Sequence, residues 1–253
     1  MHSKEAYIGV FDSGVGGISV LRELVKQMPG EKYLYFGDSA NAPYGSKTTQ
    51  QVKTLTFAAA QQLMERGIKA LVVACNTATA AAIADLRQRY PDTIIVGIEP
   101  ALKLAADKFP AGRIGVMATE VTLREEKLAN LLERFDGLQV ERISAPGLVE
   151  RIESGELDCP QTEALLKDIL TPYIGKLDAL VLGCTHYPFV KDTITKLLGQ
   201  QVVLLDGGEG TARQVKKCLQ EADLLREGVG SVTIENSLKN PEILQLSHKL
   251  LGR

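Results

Sequence analysis

The chain reads as an α/β protein of two pseudo-symmetric, doubly wound lobes with mainly parallel sheets and the active site between them. Three observations predict this. First, two segments nearly repeat each other, Ala70-Leu71-Val72-Val73-Ala74-Cys75-Asn76-Thr77 and Ala179-Leu180-Val181-Leu182-Gly183-Cys184-Thr185-His186, each ending an apolar run with a cysteine. Second, the repeat extends in register: Ile8 to Ser13 recurs at Ile114 to Thr119 (106 residues on), Cys75 at Cys184 (109) and Ile95 to Glu99 at Val202 to Asp206 (107). Three strand-like segments recurring in one order at nearly one spacing are what a duplicated α/β unit leaves. Third, each run is short, rich in β-branched residues and apolar on both faces, as a strand buried inside a parallel sheet must be.

In chain order, Tyr7 to Phe11, Lys32 to Phe36, Ala70 to Ala74 and Thr93 to Ile98 are the expected strands of the first set. Between them lie stretches long enough for crossover helices. Thr49 to Arg66 places Val52, Leu55, Ala59 and Leu63 on one helical face, with Gly67 as the stop. The second set is Arg113 to Met117, Gln139 to Ile143, Ala179 to Leu182 and Gln201 to Leu205. A helix from Thr211 to about Leu225 follows, then Ser231-Val232-Thr233-Ile234 as an edge strand. This tail has no lobe of its own.

Composition narrows the function. Of 253 residues, 45% are hydrophobic and 24% charged, and 29 Lys and Arg are interspersed with 31 Asp and Glu. No basic stripe exists to neutralise phosphates, so nucleic acid is not the expected ligand. No signal segment and no apolar run of about 18 residues is present, so no membrane is expected and the cytoplasm is the expected compartment. The cysteines Cys75, Cys159, Cys184 and Cys218 are widely spaced without a CxxC pair, which argues against zinc (metal: none) and against a disulfide framework. Cys159 and Cys218 read as structural, and His2 and His248 as incidental.

Chemistry concentrates at the carboxyl ends of the expected strands, where doubly wound sheets place their sites. The clusters are Asp12-Ser13-Gly14, Asn41-Ala42-Pro43-Tyr44-Gly45, Cys75-Asn76-Thr77 and Cys184-Thr185-His186. Two lobes related by a pseudo-twofold would face their cysteines across one bound molecule. A free thiol ionises near pH 8.5, so a cleft that partly stabilises thiolate can hold one sulfur as base and the other as acid. That pair suits proton removal from one face of a carbon acid and return to the other, which is racemisation or epimerisation. Ser13, Asn76, Thr77, Thr185 and nearby backbone N–H groups suit carboxylates and a developing enolate-like charge. Gly14-Val15-Gly16-Gly17 could instead be a nucleotide loop, but Ser19 stands where the dinucleotide fingerprint needs its third glycine.

Four blocks together resemble the cofactor-independent glutamate racemases of bacteria: Phe11-Asp12-Ser13-Gly14-Val15-Gly16-Gly17, Pro43-Tyr44-Gly45, Ala74-Cys75-Asn76-Thr77-Ala78 and Gly183-Cys184-Thr185-His186-Tyr187-Pro188. The resemblance runs the length of the chain. It implies interconversion of L- and D-glutamate without a cofactor, supply of D-glutamate for peptidoglycan, and a homodimer. The resemblance, rather than pattern, also places the tail on the first lobe, so the expected domains are 1–97 plus 208–253, carrying Cys75, and 98–207, carrying Cys184. Cys75 would take the α-proton from D-glutamate and Cys184 from L-glutamate, with Asp12 and His186 beside them. Asp12, Ser13, Pro43, Tyr44, Gly45, Asn76, Thr77, Thr119, Thr185 and His186 would contact substrate, and Glu153 matches an acidic position near the histidine. Ala145-Pro146, where the family pattern has Cys-Pro, and Glu120-Val121 depart from it outside the thiol blocks. Other two-thiol enzymes are the rivals, an aspartate or hydantoin racemase, a maleate isomerase or an arylmalonate decarboxylase, with a two-lobed amino-acid-binding protein as the non-enzymatic one.

Overall fold

The computed structural model describes residues 3–99, 101–124 and 138–252. Among them, nine strands form two sheets in which every pairing is parallel. They are β1 (Ile8–Asp12), β2 (Lys32–Gly37), β3 (Ala70–Val73), β4 (Ile94–Gly97), β5 (Arg113–Ala118), β6 (Gln139–Ser144), β7 (Ala179–Leu182), β8 (Val203–Asp206) and β9 (Ser231–Asn236). The first sheet runs β4-β3-β1-β2-β9 and the second β6-β5-β7-β8. Read from its other edge, the second sheet repeats the first strand for strand, and β9 is added beside β2.

The duplication holds at the level of register. Ile8 lies opposite Ala70 and Ile114 opposite Ala179, so the two cysteine-bearing strands sit identically against their central neighbours. The third repeated segment needs a correction. Leu71 pairs with Ile95 and Leu180 with Leu204, which makes Ile95 equivalent to Leu204 rather than to Val202. The cause is local: the Val202 N–H is spent on the Gly199 carbonyl at 3.2 Å, so the ladder cannot begin before Val203. Similarly, the helix expected from Thr211 starts at Gly208, whose N–H bonds the Asp206 carboxylate at 2.9 Å, and runs to Glu221. Asp223, at φ 53°, turns the chain away beyond it.

The central strands β1, β3 and β7 are buried throughout, which explains why they read as continuous apolar runs. In each sheet the connections diverge between the first strand and the cysteine strand, β1/β3 and β5/β7. These are the topological switch points at which open α/β sheets bind ligands. The helix Gly208–Glu221 and the final helix Pro241–Leu251 both pack on Ile18–Gln27, on the same side of the molecule as β9. His248 is exposed on that last helix, and His2 lies outside the described residues. No helix among the described residues is long and apolar enough to cross a membrane.

At the opposite, amino-terminal end of the first sheet lies an ion pair with both side chains wholly buried: Lys69 Nζ sits 2.6 Å from a Glu31 carboxylate oxygen. The ammonium also donates to the carbonyls of Lys4 (2.7 Å) and Leu224 (2.9 Å), and Glu31 accepts the Arg226 N–H at 2.8 Å. All three ammonium donors are used, so the pair ties the entry and exit segments of the chain to the sheet. Lys69→Ala strips a buried carboxylate of its counter-ion and should lower stability by about 3–5 kcal/mol. Urea denaturation would show this as a fall in midpoint at unchanged slope, and a loss below about 1 kcal/mol would mean that water replaces the ammonium.

Candidate active site

Asp12 and Ser13 leave β1, Cys75 to Thr77 leave β3, Thr119 leaves β5 and Cys184 to His186 leave β7, so both switch points open on one cleft. Cys75 and Cys184, at 5% and 7% exposure, line the same narrow cavity. Ser13, Pro43, Tyr44, Gly45, Asn76, Thr77, Thr119, Thr185 and His186 complete its predicted wall, and Val149 is an addition. The space measures about 20 Å³, room for roughly one water. A wider pocket of about 320 Å³, sharing Pro43, Gly45, Thr119 and Val149, adjoins it. As it stands, the space between the two thiols is smaller than an amino acid.

Hydrogen bonds across the cleft hold the lobes together. Thr185 Oγ donates to Asp12 at 3.0 Å, and Ser19 Oγ donates to the Thr185 carbonyl at 2.8 Å. Thr77 and Thr119 hydroxyls meet at 3.2 Å, with Thr122 at 3.1 Å from Thr119 and 3.4 Å from Thr77. Thr122 was not legible from sequence, since it differs from Thr119 only by one helical turn.

The two thiols have unlike surroundings. Cys75 precedes the helix Asn76–Arg89, accepts the Ala78 N–H at 3.4 Å and donates to Ser13 Oγ at 3.5 Å. Burial, and then the nearby Asp12 charge, push its thiol up to about 12. The sequence reading has one sulfur as base and the other as acid, and these surroundings favour the thiol form at Cys75.

Cys184 Sγ instead lies 3.6 Å from His186 Nδ1, and His186 Nε2 lies 2.6 Å from Glu153 Oε1. Burial works against charge on the imidazole, but the contacts with Cys184 and Glu153 outweigh it and hold His186 well above its ordinary value. Burial likewise opposes ionisation of Glu153, and the His186 hydrogen bond overcomes it. With the Val15 N–H on the same oxygen at 2.6 Å, Glu153 stays a carboxylate below its usual range. The predicted acidic residue is thus joined to the histidine, although it stands behind the cavity wall.

Of the predicted contacts, Asp12 stands outside the cavity lining, close enough to act on the Cys75 charge, and Tyr44 lines the cavity without its hydroxyl. Asp12 is wholly buried behind the wall, accepting the Gly14 N–H at 2.9 Å as well as Thr185, and burial raises its pKa against the opposing pull of His186. The Tyr44 hydroxyl points away to Asp38 at 2.7 Å, so Tyr44 meets the cavity without offering its oxygen. Asp38, which also accepts from Asn41 at 3.0 Å, shapes the Pro43-Tyr44-Gly45 loop. Asn76, in contrast, keeps both amide atoms buried and unpartnered. Its carboxamide is free for a ligand. No group of three His, Cys, Asp or Glu side chains that could hold a metal occurs among the described residues.

Comparison with known proteins follows the same lines. The profile of the family described as Asp/Glu/Hydantoin racemase matches residues 8–215. The glutamate racemase of Clostridium perfringens (strain ATCC 13124) is 47% identical over 252 residues, covering 98% of this chain and 97% of its own. The crystal structure of glutamate racemase isoform RacE1 from Bacillus anthracis superposes with a TM-score of 0.88 at 32% identity, over 99% of this chain and 95% of that one. Glutamate racemase from Francisella tularensis in complex with D-glutamate gives 0.85 at 26% identity, over 99% and 95%.

Proposed function

The chain belongs to the Asp/Glu/hydantoin racemase family and is an amino-acid racemase, and we propose that it interconverts L- and D-glutamate by passing the α-proton between Cys75 and Cys184. The observation that carries this reading is the meeting of two thiols, from equivalent positions of a duplicated sheet, in one cavity. Glutamate is the substrate because relatives matched over their whole length are glutamate racemases, one of them in complex with D-glutamate.

From L-glutamate, Cys184 as thiolate takes the α-proton and Cys75 as thiol donates its own to the opposite face. The Cα–H bond breaks toward one sulfur as a new one forms from the other, so the product is D-glutamate with Cys75 left as thiolate. The reverse reaction exchanges the roles. Burial that favours the thiol at Cys75, and the histidine–carboxylate pair behind Cys184, support these roles for the L-to-D direction. His186, with Glu153 fixing its far nitrogen, offers the Cys184 proton a second resting place on Nδ1. The open amide of Asn76, the hydroxyls of Ser13 and Thr77, and the amino terminus of the helix Asn76–Arg89 are placed for the substrate carboxylates and the negative charge developing at Cα, while Thr185, whose proton serves Asp12, can only accept there. Asp12 acts from behind, on the charge of Cys75 and on the orientation of Thr185. No cofactor is needed in this scheme. The lobes are residues 1–97 plus 208–253 and residues 98–207, and the D-glutamate would enter peptidoglycan assembly in the cytoplasm.

The test is incubation of the reduced protein with L-glutamate in D2O without added cofactor, followed by optical rotation and by the α-proton NMR signal. Rotation should decay to zero with deuterium at Cα. Exchange with aspartate or a hydantoin but not with glutamate would replace the substrate, and no exchange with any of them would overturn the reading.

A further inference from the structure

Glu153 is held by more than the histidine it serves. Its second oxygen, Oε2, accepts the Ser39 hydroxyl at 3.0 Å, and Ser39 Oγ in turn accepts from Asn236 Nδ2 at 2.9 Å. Asn236 ends β9, the strand that returns from the far end of the chain to lie beside β2, where it stands opposite Gly37. Its amide orientation is fixed, because the Leu238 N–H donates to Oδ1 at 2.9 Å and leaves only the Nδ2 side for Ser39. A serine hydroxyl has one proton. With a donor already arriving from Asn236, that proton can serve only Glu153.

We infer that Asn236 and Ser39 are positioning residues for racemisation, a one-way hydrogen-bond chain from β9 that orients the Glu153 carboxylate and, through it, the His186 ring beside Cys184. The inference rests on the proposed role of Cys184 and His186. It assigns a catalytic purpose to the added strand, which among the described residues has no counterpart in the second sheet. The chain crosses the cleft, since Ser39 and Asn236 belong to the first sheet's side and Glu153 to the helix Leu148–Glu153 of the other. Glu153 is thus fixed from across the cleft by two groups, the Ser39 hydroxyl and the Val15 N–H.

The titratable groups in the field of Glu153 are His186 and Asp12, with Tyr35 beyond them and Cys184 on the other side of the imidazole. Every donor to Glu153 favours its charged form, so removing one raises the pH at which it takes a proton and releases His186. Asp12 feels the charges of both Glu153 and His186, so its titration follows theirs and is read apart from them by the assigned His186 ring signal.

The experiment compares Ser39→Ala, Asn236→Ala and the double variant in the full-length enzyme. Two signals are followed, the acid limb of the kcat/KM profile with L-glutamate and the ¹⁵N titration of the His186 ring, assigned with His186→Gln. Ser39→Ala should move both transitions up by about one unit, Asn236→Ala by about half, and the double variant no further than Ser39→Ala, since one acts through the other. Unmoved transitions in Ser39→Ala would overturn the inference, and so would additive shifts, which would mean that Asn236 acts by another route. Should the parent enzyme fail to racemise glutamate, the functional reading falls while the ring titration still decides the hydrogen-bond chain.

Discussion

Cys75→Ala and Cys184→Ala should each abolish racemisation from both enantiomers, with a loss of at least about 10³-fold in kcat/KM. Each direction needs one sulfur as base and the other as acid, so neither variant can keep a single direction. Thermodynamics imposes the same symmetry: enantiomers have equal free energy in water, which forces kcat/KM to be equal from both sides whatever is mutated. The two variants should nevertheless differ in exchange without inversion. Cys75→Ala keeps Cys184 with its His186–Glu153 support, so it should wash the α-proton of L-glutamate into D2O while leaving the configuration unchanged. Cys184→Ala leaves a thiol pushed up to about 12 with no histidine beside it, and should exchange D-glutamate far more slowly. Polarimetry from each enantiomer, combined with α-proton NMR, reads both effects. Inversion surviving above about 1% in either variant would sink the two-thiol mechanism.

The duplicated sheet was legible because a strand buried on both faces leaves an unbroken apolar run, and because two such runs ended in the same residue type. The same signal placed Cys75, Cys184 and the polar residues following them, since the carboxyl end of a parallel strand is where such a chain must put its ligand groups. What escaped the sequence depends on side-chain direction. Nothing in the order of residues tells that the Tyr44 hydroxyl turns to Asp38, that Asp12 stands behind the wall, or that Ser39 faces Glu153 across the cleft. Which sulfur rests as the thiol was likewise not legible, because a reference thiol describes a solvated group and burial removes that solvent.

The glycines of Gly14-Val15-Gly16-Gly17 make the last prediction, and their reason differs from the one that a nucleotide loop would give. None of them has positive φ. Their value is space. A Cβ on Gly16 would lie 2.4 Å from His186 Nδ1 and 2.6 Å from Thr185 Oγ, and one on Gly14 would lie 1.9 Å from Glu153 Oε1. Both collisions are with side chains across the cleft, so Gly14 and Gly16 are the clearance that lets the two sides meet, whereas a Cβ on Gly17 would strike Asp12 and Ala74 on its own side. Gly16→Ala must displace the imidazole by about 1 Å, and a misplacement of that size costs on the order of 10²-fold in turnover. The clash falls on side chains rather than on backbone and Gly16 has no positive φ, so the protein should stay folded, with the stiffer unfolded chain offsetting up to about 1 kcal/mol of the cost. Gly210→Ala is the matched control, a helical glycine with nothing near its Cβ, and should leave kcat/KM unchanged. Steady-state kinetics and thermal melts of the two variants separate the effects. Gly16→Ala retaining kcat/KM within about threefold would mean that His186 and Thr185 do not occupy these positions when the reaction occurs.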